Sequence, residues 1–171
     1  MTGNLYERID IDEEMFKAFL TNADIVALLT NTKDTPLPAK DLRYKCVFPY
    51  EHVPDTSIET GVYITFDTEV VEVPTSASKR VYLYVYVMCH QGMMNVDSPT
   101  AALMGIKDRG PRKKILAAKV DEAINGLTNE DWVGKVELIQ TKIVTPAVGY
   151  VGDCLIYELL DFNRTGERLH G

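Results

Sequence analysis

Val81-Tyr-Leu-Tyr-Val-Tyr-Val-Met-Cys-His90 alternates strictly along its length. Val81, Leu83, Val85, Val87 and Cys89 fall on one side of an extended chain, and Tyr82, Tyr84, Tyr86, Met88 and His90 on the other. A period of two predicts a β-strand with an aliphatic face and an aromatic face. The aliphatic face requires a core. A row of tyrosines suits a half-wet setting, because each ring is apolar while each hydroxyl needs a polar partner. A surface that meets other proteins provides that setting, and so does the underside of a helix laid across the sheet.

The neighbouring segments extend this strand into a sheet. Upstream, Gly61-Val-Tyr-Ile-Thr-Phe-Asp67 also alternates and continues through Val70, Val71 and Val73 to Pro74. The polar stretch 75–78 predicts a turn, and so an antiparallel hairpin of 61–73 with 81–89. Further upstream, 44–50 reads as a short strand stopped by Pro49, which has no backbone donor. Residues 12–29 carry Met15, Phe16, Phe19, Leu20, Ala23, Val26 and Ala27 at helical spacing. Asn22 and Asp24 divide that stretch into two helices, with Asp24 as the expected cap of the second.

Downstream, 91–110 has little periodicity apart from a helical turn over 100–104. Pro111 suits the first position of a helix over 111–126, with Ile115, Leu116, Val120, Ala123, Ile124 and Leu127 as its apolar stripe and Lys113, Asp121 and Glu122 pointing outward. Two more strands, 134–144 and 152–162, are joined by Pro146 and Gly149, and in the second Cys154, Ile156 and Glu158 share a face. Trp132 is expected to anchor the helix-to-strand corner. The predicted fold class is α+β: an antiparallel or mixed sheet with an N-terminal helix and a central helix packed on it. We expect one domain over residues 1–171, with a polar tail at about 163–171.

Composition narrows the function classes. Apolar residues make up 46% of the chain and charged residues 25%, ordinary values for a globular protein. No apolar run reaches the ~18 residues that a membrane span needs, and the N-terminus has no basic start followed by an apolar stretch. Three widely spaced cysteines, Cys46, Cys89 and Cys154, argue against a disulfide framework and fit a protein made in a reducing cytosol. A net charge of −7 opposes tight binding to nucleic-acid backbones. The one basic cluster, Lys107, Arg109, Arg112, Lys113 and Lys114, reads as a solvated turn at a helix start.

Chemistry-bearing groups are sparse. There is no glycine-rich phosphate loop, and Gly105-Ile-Lys-Asp-Arg-Gly110 lacks the spacing of one. His52, His90 and His170 are the only histidines. Cys89 and His90 are adjacent on a strand and point to opposite faces, a poor arrangement for one metal ion. Cys89 reads as a small core residue, and His90 as a polar strand end. The carboxylate pairs Asp67/Glu69 and Asp121/Glu122 have no partner set up for acid–base work and read as surface. Met88, Met93, Met94 and Met104 surround the mid-chain loop and suit either a partner surface or loose core filling. We therefore expect no catalytic residue, no metal and no cofactor. The candidate subunit interface is Tyr82, Tyr84, Tyr86, Met88, Met93 and Met94.

Several segments in order carry a resemblance: Cys46-Val-Phe-Pro-Tyr50 with Pro54, Gly61-Val-Tyr-Ile-Thr-Phe-Asp67, and Val85-Tyr-Val-Met-Cys-His90. They continue with a basic turn into Ile115-Leu-Ala-Ala-Lys-Val-Asp-Glu-Ala-Ile124, then Gly134-Lys-Val-Glu-Leu138, Gly149-Tyr-Val-Gly152 and Tyr157-Glu-Leu-Leu-Asp-Phe-Asn163. Together they cover most of residues 12–163. This pattern resembles the tail terminator (tail completion) proteins of long-tailed bacteriophages. The resemblance implies a structural virion protein made in the host cytoplasm, forming a typically hexameric ring at the tail–head junction. It also implies as partners further copies of itself, the tail tube protein and the head connector, with DNA passing through the lumen unbound and no membrane involved. The alternatives are another neck component, such as a head-closure or adaptor protein, and a small α+β enzyme with a pocket holding His52 or His90 beside carboxylates.

Overall fold

The computed structural model describes residues 6–30, 39–55, 61–75, 78–127 and 135–160. In chain order the elements begin with α1 (Tyr6–Thr21), α2 (Ala23–Thr30), α3 (Ala39–Leu42), β1 (Val47–Phe48), β2 (Val62–Thr75) and β3 (Ser78–His90). A 3-10 turn (Gln91–Met93), β4 (Asn95–Val96), α4 (Ser98–Met104), β5 (Gly110–Pro111), α5 (Arg112–Asn125), β6 (Lys135–Val144) and β7 (Tyr150–Leu160) follow. The fold is α+β, with a mixed five-stranded sheet in the order β1-β2-β3-β7-β6. The expected hairpin is present: β2 and β3 are antiparallel, with Ile64 opposite Val87 and Phe66 opposite Val85. β1 runs parallel to β2, a pairing too short to leave a period in the sequence. β7 begins at Tyr150, two residues before the expected start. Trp132, Gly134 and the tail at 163–171 lie outside the described residues.

The aliphatic face of β3 is core. Val81, Leu83, Val85, Val87 and Cys89 are buried beside Ile64 and Phe66 of β2 and Leu155, Tyr157 and Leu159 of β7. The helices pack on this face. Phe16 and Phe19 of α1 meet Phe66 edge-on at 5.4 and 5.8 Å, a favoured aromatic geometry. α2 is buried from Ile25 to Leu29. α5 buries Ile115, Leu116, Val120 and Ile124, while Ala123 is half-buried.

Local polar contacts set the helix ends. The Asn22 side-chain oxygen accepts from the backbone N–H groups of Asp24 (3.0 Å) and Ile25 (3.2 Å), so Asn22 caps α2. That corrects the expected role of Asp24. Asp24 lies inside the first turn, where its charge suits the helix dipole, and Lys119 of α5 approaches it at 3.3 Å. Pro111 immediately precedes α5, pairing with Asn95, and does not open the helix.

Three side chains expected at the surface hold the layers together. Arg112 is buried, and its guanidinium Nη1 donates to the Leu28 carbonyl (3.2 Å), satisfying an end group of α2. Lys113 reaches Asp153 of β7 at 2.6 Å. Asp121 accepts from the buried Tyr157 hydroxyl at 2.8 Å. Two of the five basic residues therefore belong to the packing of α5 on α2 and on the sheet, and Asp121 is not plain surface.

At the joint of α1 and β2, Arg8 donates to Thr68 Oγ1 (2.9 Å) and Asp67 Oδ1 (2.8 Å). Burial, and then the charge of Asp67, push the nearby Asp12 carboxyl from its ordinary 3.8 up to about 6, against the pull of Arg8. A carboxyl whose pKa is higher in the folded state favours folding while protonated. Stability therefore falls as pH rises from about 4 to about 6, and the penalty is complete above that range. Discounted for the half-exposed site, Asp12→Asn should add about 1 kcal/mol near pH 8 and nothing below about pH 4. Urea midpoints at those two pH values check this; the same shift at both would assign the gain to something other than ionisation.

Candidate assembly interface

The tyrosine face of β3 looks away from these helices. Tyr82, Tyr84 and Tyr86 lie half-buried along the middle of the sheet. Register places them between Glu69, Asp67 and Thr65 of β2 and Glu158, Ile156 and Cys154 of β7. Tyr84 donates its hydroxyl to Glu69 Oε2 (3.0 Å), and the Tyr82 and Tyr84 rings meet edge-on at 6.4 Å. Burial is the main cause that pushes the Tyr86 hydroxyl up to about 12, with Cys154 adding to it, so it is a neutral hydrogen-bonding group at physiological pH. Arg80 bridges Glu158 (2.9 Å) and Glu72 (3.3 Å) at the end of the row.

Beside the tyrosines opens a cleft of about 600 Å³, walled by Arg8, Glu51, Asp67, Glu69, Tyr84 and Tyr86. Thr65, Phe66, Thr68 and Val70 complete its lining, so acidic, aromatic and small polar groups share it with one arginine.

Towards the other end of this face a smaller cleft of about 240 Å³ lies among Glu51, His52, Tyr86 and Met88, next to a region of ring packing. Phe48, Tyr63, Met88 and Tyr150 form a second small core, with His52 stacked on Phe48 at 3.9 Å. Tyr150 meets the His90 ring edge-on at 5.2 Å, and its hydroxyl accepts from the Gly61 N–H (3.1 Å). His90 Nδ1 accepts from the Gly92 N–H (3.1 Å), capping the 3-10 turn. Both histidines are thus part of ring packing at one corner of the sheet.

Of the six candidate interface residues, the structure brings Tyr82, Tyr84 and Tyr86 together on the open face. Met88, 2% exposed, is inside the second core. Met93 and Met94 are half-buried against the main core, and Met104 is buried in it. The methionines fill space within the chain more than they form a shared surface with the tyrosines.

The three cysteines are free. Burial pushes the Cys89 thiol up to about 11, so it is held as a thiol at neutral pH. Among the described residues no group of three or more His, Cys, Asp or Glu is placed to hold a metal ion, and no helix is long and apolar enough to cross a membrane.

The features on which the sequence was silent lie at the sheet's far edge. β6 carries Leu138, Ile139 and Ile143 at 38, 44 and 77% exposure. A shift of register between Leu138 and Gln140 marks a β-bulge. In the sequence these apolar residues look like any strand.

Fold and face together define an α+β protein with a helix-covered core face and an open face lined by tyrosines and carboxylates. The chain belongs to the YomW family, whose match spans residues 22–159. The family carries a phage-derived gene name, of the Bacillus phage SPBeta-like kind, which points to a phage-encoded protein. No curated protein and no solved structure matches the chain.

Proposed function

We propose that this chain is a structural virion protein of the tail-terminator type, acting by assembly and not by catalysis. In this reading copies of the chain close into a ring, hexameric by the resemblance, that caps the tail tube and offers a docking surface to the head connector. Its place is the tail–head junction of the virion, reached after synthesis in the host cytoplasm. The phage-derived family name and the order of the segments quoted above support it. The observation that carries it is the open face, where Tyr82, Tyr84 and Tyr86 stand half-exposed above an acidic rim while every described helix of the core packs on the opposite side. Tyrosine suits an assembly surface because it buries a large rigid ring at little entropic cost. A net charge of −7 suits a lumen through which DNA slides without sticking.

A ring requires a heterologous contact, one surface meeting a different surface of the next copy. With the tyrosine row as one side of that contact, changing Tyr82, Tyr84 or Tyr86 singly to Ser should leave the fold intact. Assembly should weaken by at least about 30-fold at the position that is a hot spot. Native mass and tail completion in vivo read the effect, and circular dichroism checks the fold. Three variants that assemble like the wild type would place the contact elsewhere; three that unfold would make the face a core.

A further inference from the structure

Among the described residues β6, ten residues long, ends one side of the sheet. At the opposite edge β2 is already met by β1 at Ile64 and Thr65 and by Arg8 at Asp67 and Thr68. Among the described residues no strand pairs with the outer side of β6 over its ten residues. An edge of that length presents unmet backbone donors and acceptors to another strand.

The side chains of β6 have a symmetry of their own. Pairing with β7 places Val136 and Leu138 on the helix face, opposite Leu159 and Tyr157, and Thr141 and Ile143 on that same face, opposite Leu155 and Asp153. Glu137, Gln140, Lys142 and Val144 fall on the open face. In an unbroken strand, residues of odd and even number point to opposite faces. The bulge between Leu138 and Gln140 reverses that order halfway along. As a result the strand can lie antiparallel to a copy of itself, centred on the bulge, with every pair matched in face. Val136 then opposes Ile143, Leu138 opposes Thr141, and Glu137 opposes Lys142, each twice by symmetry. The first and last residues of the strand, Lys135 and Val144, also coincide in this register. Oppositely charged cross-strand pairs stabilise a ladder, and like charges directly opposite destabilise it.

We propose that β6 pairs antiparallel with β6 of a second copy of this chain, joining two five-stranded sheets into one of ten. A bulge and a lysine also serve to blunt an edge against pairing. A blunted edge does not, however, gather Leu138, Ile139 and Ile143 on its outside, and the proposed register covers Ile143, the most exposed of the three, with an apolar partner. The contact is isologous and closes after two copies. It is therefore separate from the heterologous contact of a ring and does not depend on it.

The test is sedimentation of the purified full chain at low salt, over about 1–100 µM. The wild type should show twice the 19.2 kDa of one chain, alone or as the building step of a larger assembly. Lys142→Glu, which sets carboxylates opposite each other twice, should weaken that association by about tenfold. Glu137→Lys combined with Lys142→Glu should restore it, since the exchange of charges leaves the register intact. Ile143→Lys should abolish it, with an unchanged circular dichroism spectrum. A wild type that stays monomeric throughout overturns the proposal, as does a charge exchange that fails to restore pairing. A two-copy step that Lys142→Glu leaves unchanged, beside rings that fail with Tyr84→Ser, would overturn it while leaving the proposed ring in place.

Discussion

Leu116→Ala and Ile124→Ala should each cost about 2–5 kcal/mol of folding stability. Both side chains are fully buried on α5, facing the sheet through the main core. They sit two turns apart, so together they report on the whole contact of α5 with the sheet. Removing methyl groups there forfeits their transfer energy and leaves a cavity that close-packed neighbours such as Val120 and Tyr157 fill only in part. Against a total of about 5–15 kcal/mol, either change removes a large share. Urea unfolding, with unchanged slope and a lowered midpoint, is the measurement. A loss below about half a kcal/mol at both positions would mean that this stripe is not core.

Gly152→Ala should cost about 1–3 kcal/mol, although replacing glycine within a strand usually helps. Gly152 lies inside β7, between Met88 of β3 and Val144 of β6. A methyl group there would run into the Val87 carbonyl oxygen, a backbone atom that cannot swing aside. The two strands would have to part where Tyr150 and His90 meet, so the second core should loosen along with the ladder. The check is the denaturant midpoint, together with near-ultraviolet circular dichroism of the tyrosines. A variant as stable as the wild type would show that β3 and β7 have room to spare.

Periodic signals carried the fold. The alternation of 81–90 and 61–67 and the stripe of α5 are local, and each states its own face. What the sequence hid was long-range. Gly152 reads there as the start of a strand, because the carbonyl that excludes a side chain belongs to Val87. Arg112 reads as one more surface charge until α2 brings the Leu28 carbonyl to it from 84 residues away. Asp121 and Lys113 look solvated because Tyr157 and Asp153 lie on a strand formed later in the chain. Asn22 and Asp24 are both good caps, and only the backbone path selects Asn22. Of the candidate site, the tyrosine row was legible. The burial of Met88 was not, because the segment after β1 that carries His52 crosses the face only in three dimensions. The exposed edge of β6 was hidden for the same reason, since strand order decides which strand ends a sheet.

Assembly at the junction of tail and head is visible by electron microscopy of intact particles. Particles carrying a tagged chain should show the label as a closed ring at the upper end of the tail, and particles lacking the chain should yield separate heads and tails of uncontrolled length. A label on isolated heads, or anywhere away from the upper end of the tail, would contradict the account.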